Sequence, residues 1–122
     1  MTPNELPSTN PRRWLSKFGC AFRGVAIAVW QEDSFLAHLP ATLLVFALAG
    51  WRGVSQTEWL LLVLCAATVL GAEMFNTAIE RLAKAITKDH DPMIGDALDI
   101  ASGAVFMSVI GAIVVGAVIL LF

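Results

Sequence analysis

The stretch Trp59–Glu80, WLLLVLCAATVLGAEMFNTAIE, decides the fold class. Its first fourteen residues, Trp59–Ala72, carry no charge, and its last eight set Glu73, Asn76 and Glu80 into the continuing apolar run. Intervals of three and four place those three side chains on one face of a helix. A bilayer core needs about 20 apolar residues, so the segment spans only if its helix continues through Glu73–Ile79. Glu73 then lies roughly one to two turns inside the apolar region. An ionisable group there costs at least ~2.5 kcal/mol on insertion scales, which makes it a functional candidate.

Two further apolar segments flank this one. Leu36–Gly50 runs fifteen residues, interrupted by His38 and Pro40 and lengthened by Ser34 and Phe35 on one side and Trp51 on the other. Ile100–Phe122 is twenty-three residues without a charge and is the clearest span. Trp51 and Trp59 bracket the loop Arg52–Glu58, and with Trp14 and Trp30 they are expected as interface anchors. Arg12, Arg13, Lys17 and Arg23 precede the first span, while Arg81, Lys84 and Lys88 follow the second. The loop between them holds only Arg52. The positive-inside rule therefore puts the N-terminus and the 81–96 loop in the cytoplasm and the C-terminus outside.

Ahead of the first span, residues 12–33 carry Trp14, Leu15, Phe18, Phe22, Val25 and Val29 at near-helical spacing, with Arg13, Lys17 and Arg23 largely off that stripe. Such a basic amphipathic helix lies in the headgroup region. Glu32 and Asp33 close it at the membrane boundary, and Asp33 or Ser34 is expected to cap the next helix. Residues 1–11 are polar and proline-rich without an apolar signal-peptide core, and are expected as a disordered tail. In the last span Ala104, Ser108, Ala112 and Gly116 recur every four residues, a face suited to close helix packing.

Composition agrees with a membrane protein. The chain has 122 residues, 57% hydrophobic and only 15% charged, against about 25% charged in an ordinary soluble domain. The net charge of −2 gives no nucleic-acid footprint. Cys20 and Cys65 sit far apart in apolar contexts and read as buried free thiols. His90, in Asp89-His90-Asp91-Pro92, reads as an exposed turn, and His38 as a hydrogen-bonded imidazole. Glu58 reads as a helix-start charge on the outer side. The expected architecture is one all-α integral membrane domain, residues 12–122, with an amphipathic helix over 12–33 and spans over about 34–51, 59–86 and 97–122. Three spans offer the polar stripe little interior, so oligomerisation is expected.

From pattern alone the stripe fits three roles. Interfacial carboxylates hold Mg²⁺ on nucleotide phosphates while a deeper one takes a proton from a lipid hydroxyl, which suits phosphoryl transfer. A proton-coupled transporter also uses an intramembrane Glu. A structural clamp between helices uses Asn and Glu.

The segment Glu73–Glu80, of the form E-x-x-N-[ST]-A-I-E, resembles the signature of the prokaryotic diacylglycerol kinases, which include undecaprenol kinases. The resemblance runs from about Arg13 to the C-terminus. It takes in Phe22-Arg23-Gly24, Gln31-Glu32-Asp33-Ser34-Phe35, the spacing from Glu32 to Glu73, and Asp99-Ile100-Ala101-Ser102-Gly103-Ala104-Val105. It implies a small homotrimeric lipid kinase of the bacterial cytoplasmic membrane, using ATP and Mg²⁺ to phosphorylate diacylglycerol or undecaprenol. No P-loop is present, as such enzymes lead one to expect. By resemblance, Glu73 is the base on the lipid hydroxyl, and Glu32 and Glu80 hold the metal on the ATP phosphates. Asn76 is the polar residue one turn from the base, and Asp99 organises the site from the start of the third span. Taken without the resemblance, Glu32 is a surface charge and Asp99 a helix cap.

The chain also departs from that pattern. Leu98 stands where the family has a phosphate-binding lysine before Asp99, and Lys84 where many members are acidic. Ser16, beside Lys17, replaces another lysine, and Arg13 matches a basic position one turn earlier. Losing a cation at a transferring phosphate can cost orders of magnitude in rate, so Lys84 or Lys17 must stand in for it or activity is weak. An inactive kinase-like scaffold is the alternative that Leu98 favours. His38 and the short N-terminal region lean toward the undecaprenol-type relatives.

Overall fold

The computed structural model describes residues 11–122; the tail expected over 1–11 lies outside the described residues except for Pro11. The described chain forms four helices and no strand: α1 (Pro11–Gln31), α2 (Ser34–Arg52), α3 (Gln56–Ile86) and α4 (Pro92–Leu121). Helices α2, α3 and α4 are each long and apolar enough to cross a membrane. The protein is therefore an all-α integral membrane protein with three candidate spans and an amphipathic helix ahead of them.

Local chemistry sets each boundary. Gly53 ends α2 in the left-handed region, φ 67°, and its N–H donates to the carbonyls of Ala49 and Gly50. A capping box then starts α3: Ser55 Oγ accepts from the Glu58 N–H at 3.2 Å, and Glu58 Oε1 accepts from the Ser55 N–H at 3.1 Å. With 31 residues α3 is about 46 Å long, well beyond a bilayer core of roughly 30 Å. If its tryptophan-bearing start marks one interface, Glu80 falls near the other, and Glu73 lies about 10 Å deeper.

Two cap expectations are corrected, and one helix starts ahead of its expected span. Neither Asp33 nor Ser34 caps α2 through its side chain: Asp33 is in the right-handed helical region and its carboxylate accepts no capping bond. The Phe35 and Leu36 N–H groups are already taken by the carbonyls of Glu32 and Asp33, at 3.2 and 3.0 Å, so no orphan donor remains for it. Helix α4 starts at Pro92, five residues before position 97, because Asp91 Oδ1 accepts from the Met93 and Ile94 N–H groups and Pro92 occupies the first turn. Asp99 is thus inside the helix and is not its cap.

The dominant packing is the antiparallel α3–α4 hairpin, with α2 against both. A small core of Ala49, Leu62 and Ile119 gathers at the α2–α3 turn, bordered by Phe46 and Trp59 edge to face with centroids 5.9 Å apart. Trp59 is therefore half-buried in that contact instead of standing free as an anchor, unlike Trp30 and Trp51, which are exposed. The small-residue face of α4 does not meet a helix closely within the chain. A Cβ added at Gly116 would touch nothing within 4 Å, and Ala112 and Gly116 line an apolar groove of about 660 Å³ between α2, α3 and α4. Cys20 and Cys65 are unbridged. On α1 the stripe Trp14, Leu15, Phe18, Phe22 and Val25 is exposed, an uncovered apolar face of the kind a headgroup-level helix carries.

Replacing Ser55 with Ala removes the capping acceptor and is expected to lower stability by about 1 kcal/mol. Ser55→Asp should retain most of it. Thermal unfolding in detergent micelles checks this, and equal midpoints for wild type and Ser55→Ala would contradict it.

Candidate active site

At the end of the bundle opposite the small core, the α1–α2 corner closes over α3 and α4. The corner contributes Gln31, Glu32, Asp33 and Ser34, α3 contributes Glu73, Asn76 and Glu80, and α4 contributes Ser102 and Val105. Together they line a polar cleft of about 450 Å³. Phe35, 2% exposed, pins the corner against the helices. The structure thus brings Glu32 to the stripe of Glu73, Asn76 and Glu80, as the sequence pattern alone could not.

Glu73 is the one buried ionisable side chain among the described residues, at 5% exposure. Its Oε1 lies 3.0 Å from His38 Nε2, so an intramembrane carboxylate finds its partner on the neighbouring span. His38 is paired with Glu73, and that partner was not legible in the sequence. The available clue was that two ionisable groups in different apolar segments each need one.

One turn on, Asn76 Nδ2 donates to Glu80 Oε1 at 2.9 Å. Asn76 Oδ1 is buried and has no hydrogen-bond partner in the protein. An unpaired buried acceptor costs about 1–3 kcal/mol, which makes this atom a candidate acceptor for a donor from outside the chain. Across the cleft Arg81 Nε and Nη2 both donate to Glu32 Oε1, at 2.9 and 2.6 Å, and Nη2 reaches Gln31 Oε1 at 3.3 Å. In the sequence Arg81 was read only as a positive charge after the second span, since it lies off the stripe of Glu73, Asn76 and Glu80. Its role depends on the folded corner.

The remaining sequence candidates fall elsewhere. Asp99 is exposed and does not line the cleft, nor do Arg13 and Lys17 on α1. Lys17 Nζ stands 5.9 Å from the Trp14 ring centroid. Lys84 and Leu98 share a smaller cleft of about 210 Å³ with Glu80, His90 and Asp91, next to the main one.

As chemistry, the cleft offers oxygen donors and no soft ligands. Arg81 occupies one oxygen of Glu32 and Asn76 one oxygen of Glu80, which leaves Oε2 of each for another partner. No three His, Cys, Asp or Glu side chains among the described residues group closely enough to hold a metal by themselves. That donor set suits Mg²⁺, which takes one or two carboxylates and completes its shell with water and phosphate oxygens. It does not suit zinc.

Three apolar helices that gather carboxylates around a cleft at one end define the class, an integral membrane protein with a polar site at the end of its bundle. The family model described as prokaryotic diacylglycerol kinase matches residues 19–120 of this chain. The undecaprenol kinase of Bacillus subtilis is 28% identical over 120 residues, covering 95% of this chain and 98% of that protein. The diacylglycerol kinase of Escherichia coli K12 is 27% identical over 113 residues, covering 93% of each. The chain belongs to the prokaryotic diacylglycerol kinase family, and with it to the lipid kinases.

The Glu32–Arg81 pair is half exposed on the arginine side, 47%, so its contribution to stability is expected below about 1 kcal/mol. Arg81→Gln should leave the unfolding midpoint in micelles within a few degrees of wild type. A collapse of folding would show that the pair holds the corner.

Proposed function

We propose that the protein transfers the γ-phosphoryl group of ATP to the hydroxyl of a lipid alcohol, diacylglycerol or undecaprenol, at the cytoplasmic face of the bacterial inner membrane. The observation that carries this reading is the cleft itself, in which Glu73 is buried while Glu32, Asn76 and Glu80 line the same space. The excess of Lys and Arg before the first span and after the second supports a cytoplasmic N-terminus and a cytoplasmic cleft. Resemblance to the family supports a homotrimer, as does the scant core of a single chain.

In this mechanism the lipid hydroxyl docks against Glu73, near enough to the apolar region for its chain to stay in the bilayer. Glu73 takes the hydroxyl proton as the oxygen attacks the γ-phosphorus. A new O–P bond forms, the bond from the γ-phosphorus to its bridging oxygen breaks, and ADP leaves with that electron pair. Asn76 ties Glu80 to the stripe and presents Oδ1 as an acceptor for a substrate donor. Glu32 and Glu80 would hold Mg²⁺, which would supply neutralisation of charge on the phosphates. Asp99 is assigned an organising role, and Arg13 and Lys17 a role in nucleotide binding, by resemblance alone. Lys84 is better placed to offset Leu98, since both border the cleft that Glu80 closes.

The test is phosphate transfer by purified protein in mixed micelles, with diacylglycerol and undecaprenol offered separately. Transfer to one lipid should be abolished in Glu73→Gln. No transfer to either lipid by a folded oligomer with Mg²⁺ present would favour the inactive scaffold. A second expectation concerns the missing lysine. Lys84→Ala should raise the KM for ATP by roughly tenfold or more, as loss of a charged hydrogen bond does. Unchanged KM in both Lys84→Ala and Lys17→Ala would remove compensation for Leu98 from the account.

A further inference from the structure

His38 belongs to two surroundings at once. It borders the apolar groove of about 660 Å³ between α2, α3 and α4, yet its Nε2 lies 3.0 Å from Oε1 of Glu73, which lines the polar cleft. At that distance an imidazole carrying its proton on Nε2 pairs with the carboxylate oxygen, which accepts. The backbone beneath it is also held. Pro40 lacks an N–H for the carbonyl of Leu36, but Thr42 Oγ1 donates to the His38 carbonyl at 2.8 Å and ties down that turn.

The consequence for Glu73 is geometric. A glutamate carboxylate turns easily about its last bond, so its two oxygens are interchangeable unless one is fixed. His38 fixes Oε1, and no other side chain among the described residues bonds Glu73. Oε2 is left for a substrate hydroxyl. An acid–base group must lie within hydrogen-bond reach of the proton it takes, and a misplacement of 1 Å can cost about 10²-fold in rate.

We propose that His38 is a positioning residue for phosphoryl transfer. It anchors one oxygen of Glu73 so that the other faces the acceptor hydroxyl. This rests on the reading of Glu73 as the base. The rival is a plain structural tie between α2 and α3, which would affect folding without affecting turnover of the folded enzyme.

The experiment compares His38→Ala, His38→Gln and His38→Asn with Glu73→Gln in the mixed-micelle assay, each checked for its folded oligomer. Gln carries an amide N–H to about the position of Nε2, whereas Asn carries the same group one bond short. In His38→Ala kcat should fall about 10²-fold with the KM for ATP unchanged. His38→Gln should recover at least tenfold of that loss, and His38→Asn should not. If His38→Ala fails to fold, the Gln–Asn comparison decides by itself. Equal kcat in the Gln and Asn variants, or wild-type kcat in His38→Ala alongside an inactive Glu73→Gln, would overturn the positioning role and leave the base in place. Activity in Glu73→Gln would overturn the reading on which it rests.

Discussion

A carboxylate within an apolar helix must be paired, neutralised or kept wet, because the bilayer offers it no solvent. Here Glu73, 5% exposed, is paired with His38 on the adjacent span at 3.0 Å. Much of the arrangement follows from that contact. It brings α2 against α3 near the level where the α1–α2 corner turns, and so the corner residues Gln31–Ser34 reach the stripe on α3. Without a partner for Glu73, that helix face would carry an uncompensated charge into hydrocarbon.

The bundle is divided by chemistry along its length. At one end Ala49, Leu62 and Ile119 meet around the α2–α3 turn, with Phe46 and Trp59 beside them. At the other, carboxylates and amides surround a cleft. The 31 residues of α3 join the two, long enough for Glu80 to reach the membrane boundary while Glu73 remains inside it. In the proposed mechanism, polar positions three and four apart let one helix supply both a base at the level of the lipid hydroxyl and a metal-binding carboxylate at the level of the nucleotide.

The all-α, three-span fold was legible because hydropathy and helical periodicity are local properties, and α2, α3 and α4 follow them. The stripe of Glu73, Asn76 and Glu80 was legible for the same reason. Partners were less so: Arg81 meets Glu32 across 49 residues of sequence, and nothing local distinguishes it from any other arginine beside a span. The caps show the same limit. Asp33 resembles a cap in sequence, yet a main-chain turn satisfies the donors it would serve, while Asp91 takes the task because Pro92 follows it. Composition carries the class, and only the tertiary contacts show which ionisable groups compensate one another.

The central claim, that Glu73 and His38 form one unit inside the bilayer, is open to direct spectroscopy. The chain contains 2 histidines, so ¹⁵N-histidine labelling of the protein in lipid bilayers yields two imidazoles, separable with His90→Gln. The account predicts that His38 Nε2 carries a proton with the shift of a donor to a carboxylate, and that Glu73→Gln moves this signal while His90 stays put. An unmoved His38 signal in Glu73→Gln would contradict it.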